Sequence, residues 1–182
     1  MKKARIPRGE YPRPQFERES YISLNGKWSF CVDNEISGTQ KNFMNSKGFK
    51  GEITVPFCPE SKLSGIGNTD FMHCVWYQRE ICFPKGWCGK RIILHFGGVD
   101  YESEVYIDGI SVGIHYGGMA SFSYDISRFA GDGKTHSLVV RAFDDQRKVP
   151  GIQPRGKQSA LLKSHACDYT RTTGIWQSVW LE

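Results

Sequence analysis

Apolar and polar residues alternate with a period of two wherever this chain is regular, and no stretch holds a 3.6-residue apolar period long enough for a helix. In the run from Val75 to Phe83, Tyr77, Ile81 and Phe83 share one face while Gln78 and Glu80 point the other way, and Pro84-Lys85-Gly86 ends the run. Arg91 to Phe96 puts Ile92, Leu94 and Phe96 on one side and stops at Gly97-Gly98. Ser103 to Ile107 and Ile110 to Tyr116 flank Asp108-Gly109, the pair that suits a type I′ turn because both central residues need φ > 0; a hairpin is predicted there. Further strands are expected at Lys27 to Val32, Glu52 to Val55, Ser121 to Asp125, Thr135 to Phe143 and Gln177 to Leu181. Short strands at this spacing predict an all-β chain, an antiparallel β-sandwich of jelly-roll type, with Tyr77, Ile81, Ile92, Leu94, Val105, Ile107, Leu138 and Val140 in its core.

Two segments break the rhythm. Phe57 to Cys74 and Asp144 to Thr173 are too long for ordinary turns, and loops of that length are usually functional or disordered. The second contains Pro150, Gly151, Pro154 and Gly156 and is expected to be irregular, exposed and partly mobile. At the other end, residues 1–15 carry Lys2, Lys3, Arg5, Arg8 and Arg13 among prolines with no apolar run behind them. They read as an extended, solvated basic arm rather than a leader or a membrane helix. Residues 16–182 form one domain by size.

The net charge of +5 is spread along the chain rather than banked on one stripe, which argues against a nucleic-acid partner. Six cysteines in a domain with its own core read as reduced thiols, in keeping with a cytoplasmic protein. They hold no C-x-x-C, and no metal site is expected from His73, Cys74, His165 and Cys167.

The motifs that carry chemistry are weak one by one. Gly109-Ile110-Ser111-Val112-Gly113 is a literal G-x-S-x-G, but a serine-hydrolase elbow needs a turn between strand and helix, and this one runs from a hairpin turn into a strand. Glu102 and Glu104 share a strand face opposite Val105 and Ile107, so they read as a charged outer face. Asp144 and Asp145 close a strand with their side chains pointing apart. Glycosidic hydrolysis needs two carboxyl groups flanking one bond, and no such pair assembles itself from this chain. The five tryptophans suit sugar faces but in a sandwich more often fill the core.

An ordered series of segments does carry a resemblance: Leu24-Asn25-Gly26-Lys27-Trp28, Val55-Pro56-Phe57-Cys58-Pro59-Glu60-Ser61, Val75-Trp76-Tyr77-Gln78-Arg79, His95-Phe96-Gly97-Gly98-Val99-Asp100-Tyr101, Val105-Tyr106-Ile107-Asp108-Gly109, Pro154-Arg155-Gly156-Lys157-Gln158 and Asp168-Tyr169-Thr170-Arg171-Thr172-Thr173-Gly174-Ile175-Trp176-Gln177. Together they resemble the N-terminal sugar-binding domain of glycoside hydrolase family 2, whose β-galactosidase and β-glucuronidase branches both stay open. The chain stops on the strand Trp176 to Glu182 without a tail and is expected to be cut at a domain boundary.

The resemblance implies a galactose-binding-domain-like jelly roll that is itself non-catalytic. It lends loops to a site completed by immunoglobulin-like and barrel domains, and the barrel carries both catalytic glutamates of a retaining mechanism. It implies substrate contacts at Asp168, just ahead of the Gly174-Ile175 motif, at Asp144 after the Val139-Val140-Arg141 strand, and at Arg171. No cofactor is expected in this domain; sodium or magnesium would belong to the full-length enzyme. The implied partners are a β-glycoside, the downstream domains and, for the parent, further copies of itself, with no nucleic acid and no membrane. Two other readings remain: an independent carbohydrate-binding module with an exposed aromatic platform, and a scaffold for inter-domain and subunit contacts.

Overall fold

A computed structural model describes residues 6–131, 133–145 and 153–182. Its strands are β1 (Ile22–Ser23), β2 (Gly26–Val32), β3 (Gly51–Val55), β4 (Cys74–Cys82), β5 (Ile93–Phe96), β6 (Val99–Asp100), β7 (Glu102–Ile107), β8 (Ile110–Tyr116), β9 (Phe122–Asp125), β10 (Thr135–Phe143), β11 (Gly174–Ile175) and β12 (Val179–Leu181). A six-stranded sheet runs β3-β2-β4-β10-β7-β8, a four-stranded sheet runs β1-β12-β5-β9, and β11-β6 forms a short third ladder. The ladders between these strands are antiparallel.

The two larger sheets share one core. Tyr77, Val105, Ile107, Leu138 and Val140 from the large sheet meet Leu94, Phe96, Val179 and Leu181 from the small one, all of them buried. The eight core residues expected from alternation are all there. The hairpin forms as expected, with φ of 49° at Asp108 and 78° at Gly109. Ser111 is an exposed residue of β8, so the G-x-S-x-G run is strand and no nucleophile elbow. Its second glycine answers a packing need, because a Cβ at Gly113 would lie 2.1 Å from the Tyr124 ring.

Alternation fails on the outer face of the large sheet. Val75, Trp76, Tyr77 and Gln78 are all buried, because a second apolar cluster forms on that side. Phe43, Met44 and Phe49 from the connection between β2 and β3 pack there against Cys74, Trp76, Tyr106 and Val139. Phe43 meets the Trp76 ring edge-on at 5.7 Å between centroids. Asp33 pins this cover: its carboxylate accepts from Gly38 N at 2.7 Å, Ser37 N at 3.0 Å and Trp76 Nε1 at 3.1 Å. Glu102 and Glu104 are accordingly half-buried rather than a solvated face, and Glu102 accepts from Arg141 at 3.1 Å. We expect Asp33→Ala to lower unfolding free energy by about 1.5–3 kcal/mol, since it strips charge-assisted bonds from buried donors. An unchanged urea midpoint would show that apolar contacts alone hold the cover.

The N-terminal arm, expected to be solvated, keeps Arg8, Glu10 and Gln15 exposed over its described part but touches the small sheet through Tyr11 and Arg13. Arg13 Nη2 is 2.7 Å from His95 Nδ1, and its guanidinium sits 5.1 Å from the centre of the Trp180 ring, which itself stacks on His95 at 4.8 Å. Tyr11 donates to the Glu182 carboxylate. Asn25 Nδ2 donates to the carbonyls of Pro7 and Arg8, each at 3.1 Å, while its Oδ1 accepts from Val179 N. Arm residues 1–5 lie outside the described residues.

Candidate functional site

The two long loops meet at one end of the sandwich. Glu60, on the loop after β3, accepts from Thr173 Oγ1 at 2.6 Å and from Thr173 N at 3.2 Å. Arg171 donates to the carbonyls of Thr69 and Leu161, reaches Ser159 O at 3.4 Å, and lies 4.3 Å from the centre of the Phe71 ring. Ser159 Oγ, also fully buried, donates to Lys163 O at 2.9 Å. The described part of the second loop is thus anchored from inside. The expected exposure holds for its outer residues but not for Ser159, Arg171 and Thr173. Residues 146–152 of this loop lie outside the described residues.

Beneath the loop lies a buried acidic floor. Asp144 closes β10, where its N donates to His73 O at 2.8 Å and its carboxylate accepts from Gln153 Nε2. Asp100, at the end of β6, accepts from Gln158 Nε2 at 2.6 Å, and Gln158 Oε1 accepts in turn from Thr172 N at 2.7 Å. Both aspartates are 2% exposed. Burial, and next the charge of Asp144, push the Asp100 carboxyl up to about 7, so near neutral pH it is substantially protonated. Burial likewise raises Glu60. Gly118 closes over Asp100 so tightly that a Cβ there would lie 2.5 Å from the carboxyl carbon.

The three substrate contacts implied by the resemblance fall in different surroundings. Asp168 is half-buried at a tight turn, where Asp168 N donates to His165 O at 2.9 Å and His165 N to Asp168 O at 3.1 Å. Its carboxylate is met by the Cys167 thiol at 3.9 Å. Asp144 is sunk in the floor. Arg171 is buried, and its terminal nitrogens donate to backbone carbonyls of both long loops, which ties the loops together. Sequence reasoning missed Asp100, Glu60 and Gln158 as members of this site. The resemblance segments contained all three, but nothing local marked them as neighbours.

These groups do not form a metal site on their own. Among the described residues no cluster of three or more His, Cys, Asp or Glu side chains is able to hold an ion. Nor do they flank a surface bond as a hydrolytic pair must, since Asp100 and Asp144 are both below the surface. No helix among the described residues is long and apolar enough to cross a membrane. All six cysteines are free thiols.

Comparison with known proteins adds the following. The sequence profile of the family described as "Glycosyl hydrolases family 2, sugar binding domain" matches residues 21–182. A β-glucuronidase of Felis catus is 29% identical over 156 residues, covering 80% of this chain and 24% of that protein. A β-galactosidase of Thermoanaerobacter pseudethanolicus is 31% identical over 113 residues, covering 62% of this chain and 14% of that protein. The chain thus spans about a quarter or less of these curated relatives. Among solved structures, a β-glucuronidase from Ruminococcus gnavus in complex with uronic deoxynojirimycin superposes with a TM-score of 0.71 at 24% identity. That alignment covers 94% of this chain and 30% of the other, and it shows a shared fold.

Proposed function

The chain belongs to the sugar-binding domains of glycosyl hydrolase family 2, and from that premise we propose that it serves a retaining β-glycosidase as a non-catalytic domain. On this reading it lends the loop from Asp144 to Thr173 to a carbohydrate site completed by downstream immunoglobulin-like and barrel domains. The parent is a cytoplasmic homo-oligomer acting on a β-glucuronide or β-galactoside, and both catalytic carboxylates lie on its barrel.

The observation that carries the proposal is the setting of Asp168. The loop's base is clamped by Arg171, Thr173 and Gln158, while the turn it supports leaves the Asp168 carboxylate half open. An ionised carboxylate so held accepts sugar hydroxyls in fixed directions with bonds stronger than neutral ones. Asp144 supports the site from below, and Arg171 fixes the loop.

In the intact parent, Asp168→Ala is expected to reduce kcat/KM by about 10- to 150-fold, equivalent to about 1.5–3 kcal/mol for one charge-assisted bond. Folding of the 182-residue chain should barely change, because the turn is held by backbone bonds. The isolated chain should not turn over nitrophenyl β-glucuronide, β-galactoside or β-mannoside. Unaltered kinetics of the intact variant on its best substrate would remove Asp168 from the site. Turnover by the isolated chain that is lost on mutating one of its own carboxylates would refute the non-catalytic reading.

A further inference from the structure

Beside the turn that carries Asp168 lies a cavity of about 260 Å³ whose wall includes Arg155, Lys157, Gln158, Tyr169, Thr172 and Trp176. Resting on the carbohydrate reading above, we propose that this cavity is a subsite for an acidic sugar residue, a hexuronate or a sulfated hexose, built into this domain itself.

Three features support it. The first is charge: the wall holds two cations and no carboxylate, since the acidic floor is sunk behind Gln158 and Asp168 does not line the cavity. Arg155 feels the charge of the buried Asp100, but no carboxylate reaches the wall itself; cations grouped in such a concave wall favour an anionic occupant, and a planar guanidinium matches the oxygens of a carboxylate or sulfate.

The second is shape. A sugar ring offers a flat face of C–H groups, and the cavity offers Trp176 and Tyr169. The indole is oriented by Trp176 Nε1 donating to Gly118 O at 2.8 Å. Gly98 makes room for it, as a Cβ there would lie 3.0 Å from Nε1. Tyr169 is 68% exposed, so its ring is available at the rim. The other four tryptophans do not compete as a platform, because Trp28, Trp76, Trp87 and Trp180 are buried.

The third is preorganisation. Tyr169 N donates to Lys157 O at 2.7 Å and Ser159 N to Tyr169 O at 2.8 Å, which holds the segment carrying Lys157 alongside the one carrying Tyr169. Arg155 is tethered by Nη2 to Asp145 O at 2.8 Å. Gln158 is held at both ends, by Asp100 and by Thr172 N, so it forms a fixed wall. Little ordering remains to be done on binding.

The test is a titration of the isotopically labelled 182-residue chain with methyl β-D-glucuronide, methyl β-D-galactoside 6-sulfate and methyl β-D-glucoside. It follows the Trp176 indole N–H signal, identified with Trp176→Phe. The acidic probes are expected to move that signal and the neutral glucoside to leave it in place, with binding that weakens as salt is added. Whichever acidic probe binds tighter identifies the anion. The double variant Arg155→Gln/Lys157→Gln should weaken binding at least about tenfold, the equivalent of one charge-assisted bond. The remaining amide signals should stay in place and so report an intact fold.

A glucoside that binds as well as the acids would overturn the proposal. So would a double variant that binds like the parent chain, or an indole signal that no probe moves. The two readings fail separately. If Asp168→Ala leaves the intact parent unaltered while this cavity still takes acidic sugars, the loop's role in the parent's site falls and the subsite stands. If the kinetics change and the cavity stays empty, the reverse holds.

Discussion

Replacing Arg171 by methionine should lower the unfolding free energy of the isolated chain by about 3–5 kcal/mol, the largest effect expected for any residue of the site. Methionine keeps much of the length and the apolar contact with Phe71. It leaves the carbonyls of Thr69, Leu161 and Ser159 without their donor inside the protein. It also removes a guanidinium that faces the charges of Glu60, Asp144 and Asp70. Urea denaturation reads the loss. Limited proteolysis at Lys157 and Lys163 should accelerate, because the anchored loop is released. Arg171→Lys should recover part of the stability, since an ammonium restores the charge but not the planar fork. A substrate-contacting arginine predicts the opposite pattern, with unchanged stability and a lowered kcat/KM in the intact parent, and that result would return Arg171 to the sugar site.

The second large effect concerns pH. Asp100 has a carboxyl raised from the ordinary 3.8 to about 7 by burial and then by the charge of Asp144. The folded chain therefore holds this proton in a range where the unfolded chain has released it. Its contribution is fully present below pH about 4 and is lost as pH rises toward 7, by on the order of 2–4 kcal/mol in all. Asp100→Asn keeps an oxygen for Gln158 Nε2 to donate to but never ionises. The variant should match the wild-type chain near pH 4.5 and exceed it by that margin at pH 8.

Two other shifted groups bear on the same curves. Glu60 is also raised and adds a loss of the same sign; His95, lowered chiefly by burial, adds a gain as pH rises through its range. Both are present in the two proteins, so the difference between the denaturation curves reports Asp100 together with its coupling to Asp144 and Glu60. A difference that stays constant from pH 4.5 to pH 8 would mean that Asp100 is already ionised in the folded chain. The same experiment bears on the site, because Asp100 accepts from the Gln158 side chain that holds Thr172 and the loop base, a bond that favours the ionised carboxylate and so opposes the rise caused by burial.

The strands, the Asp108-Gly109 hairpin, the sandwich and its inner core were legible in the sequence because each rests on local rules. A period of two selects a strand face, and an Asp-Gly pair selects a turn, without reference to distant residues. The family was legible for a related reason: its motifs lie in order along the chain. What only the tertiary structure decided is the work of residues far apart in sequence. Trp76 and Gln78 point away from the inner core, yet they are buried because the segment around Phe43 folds back over them, and alternation carries no word of that cover. Arg13 sits on Trp180 rather than in water because β12 and β5 present a stacked pair of rings to it. Glu60 meets Thr173 across 113 positions, Arg171 meets Thr69 across 102, and Gln158 meets Asp100 across 58. Those pairings turn an expected exposed loop into one clamped at its base, and they tie the Arg171 guanidinium to backbone carbonyls of both loops. A charge in a sequence carries no sign of its burial; that is set by which backbone carbonyls and which other charges the fold brings within hydrogen-bonding reach.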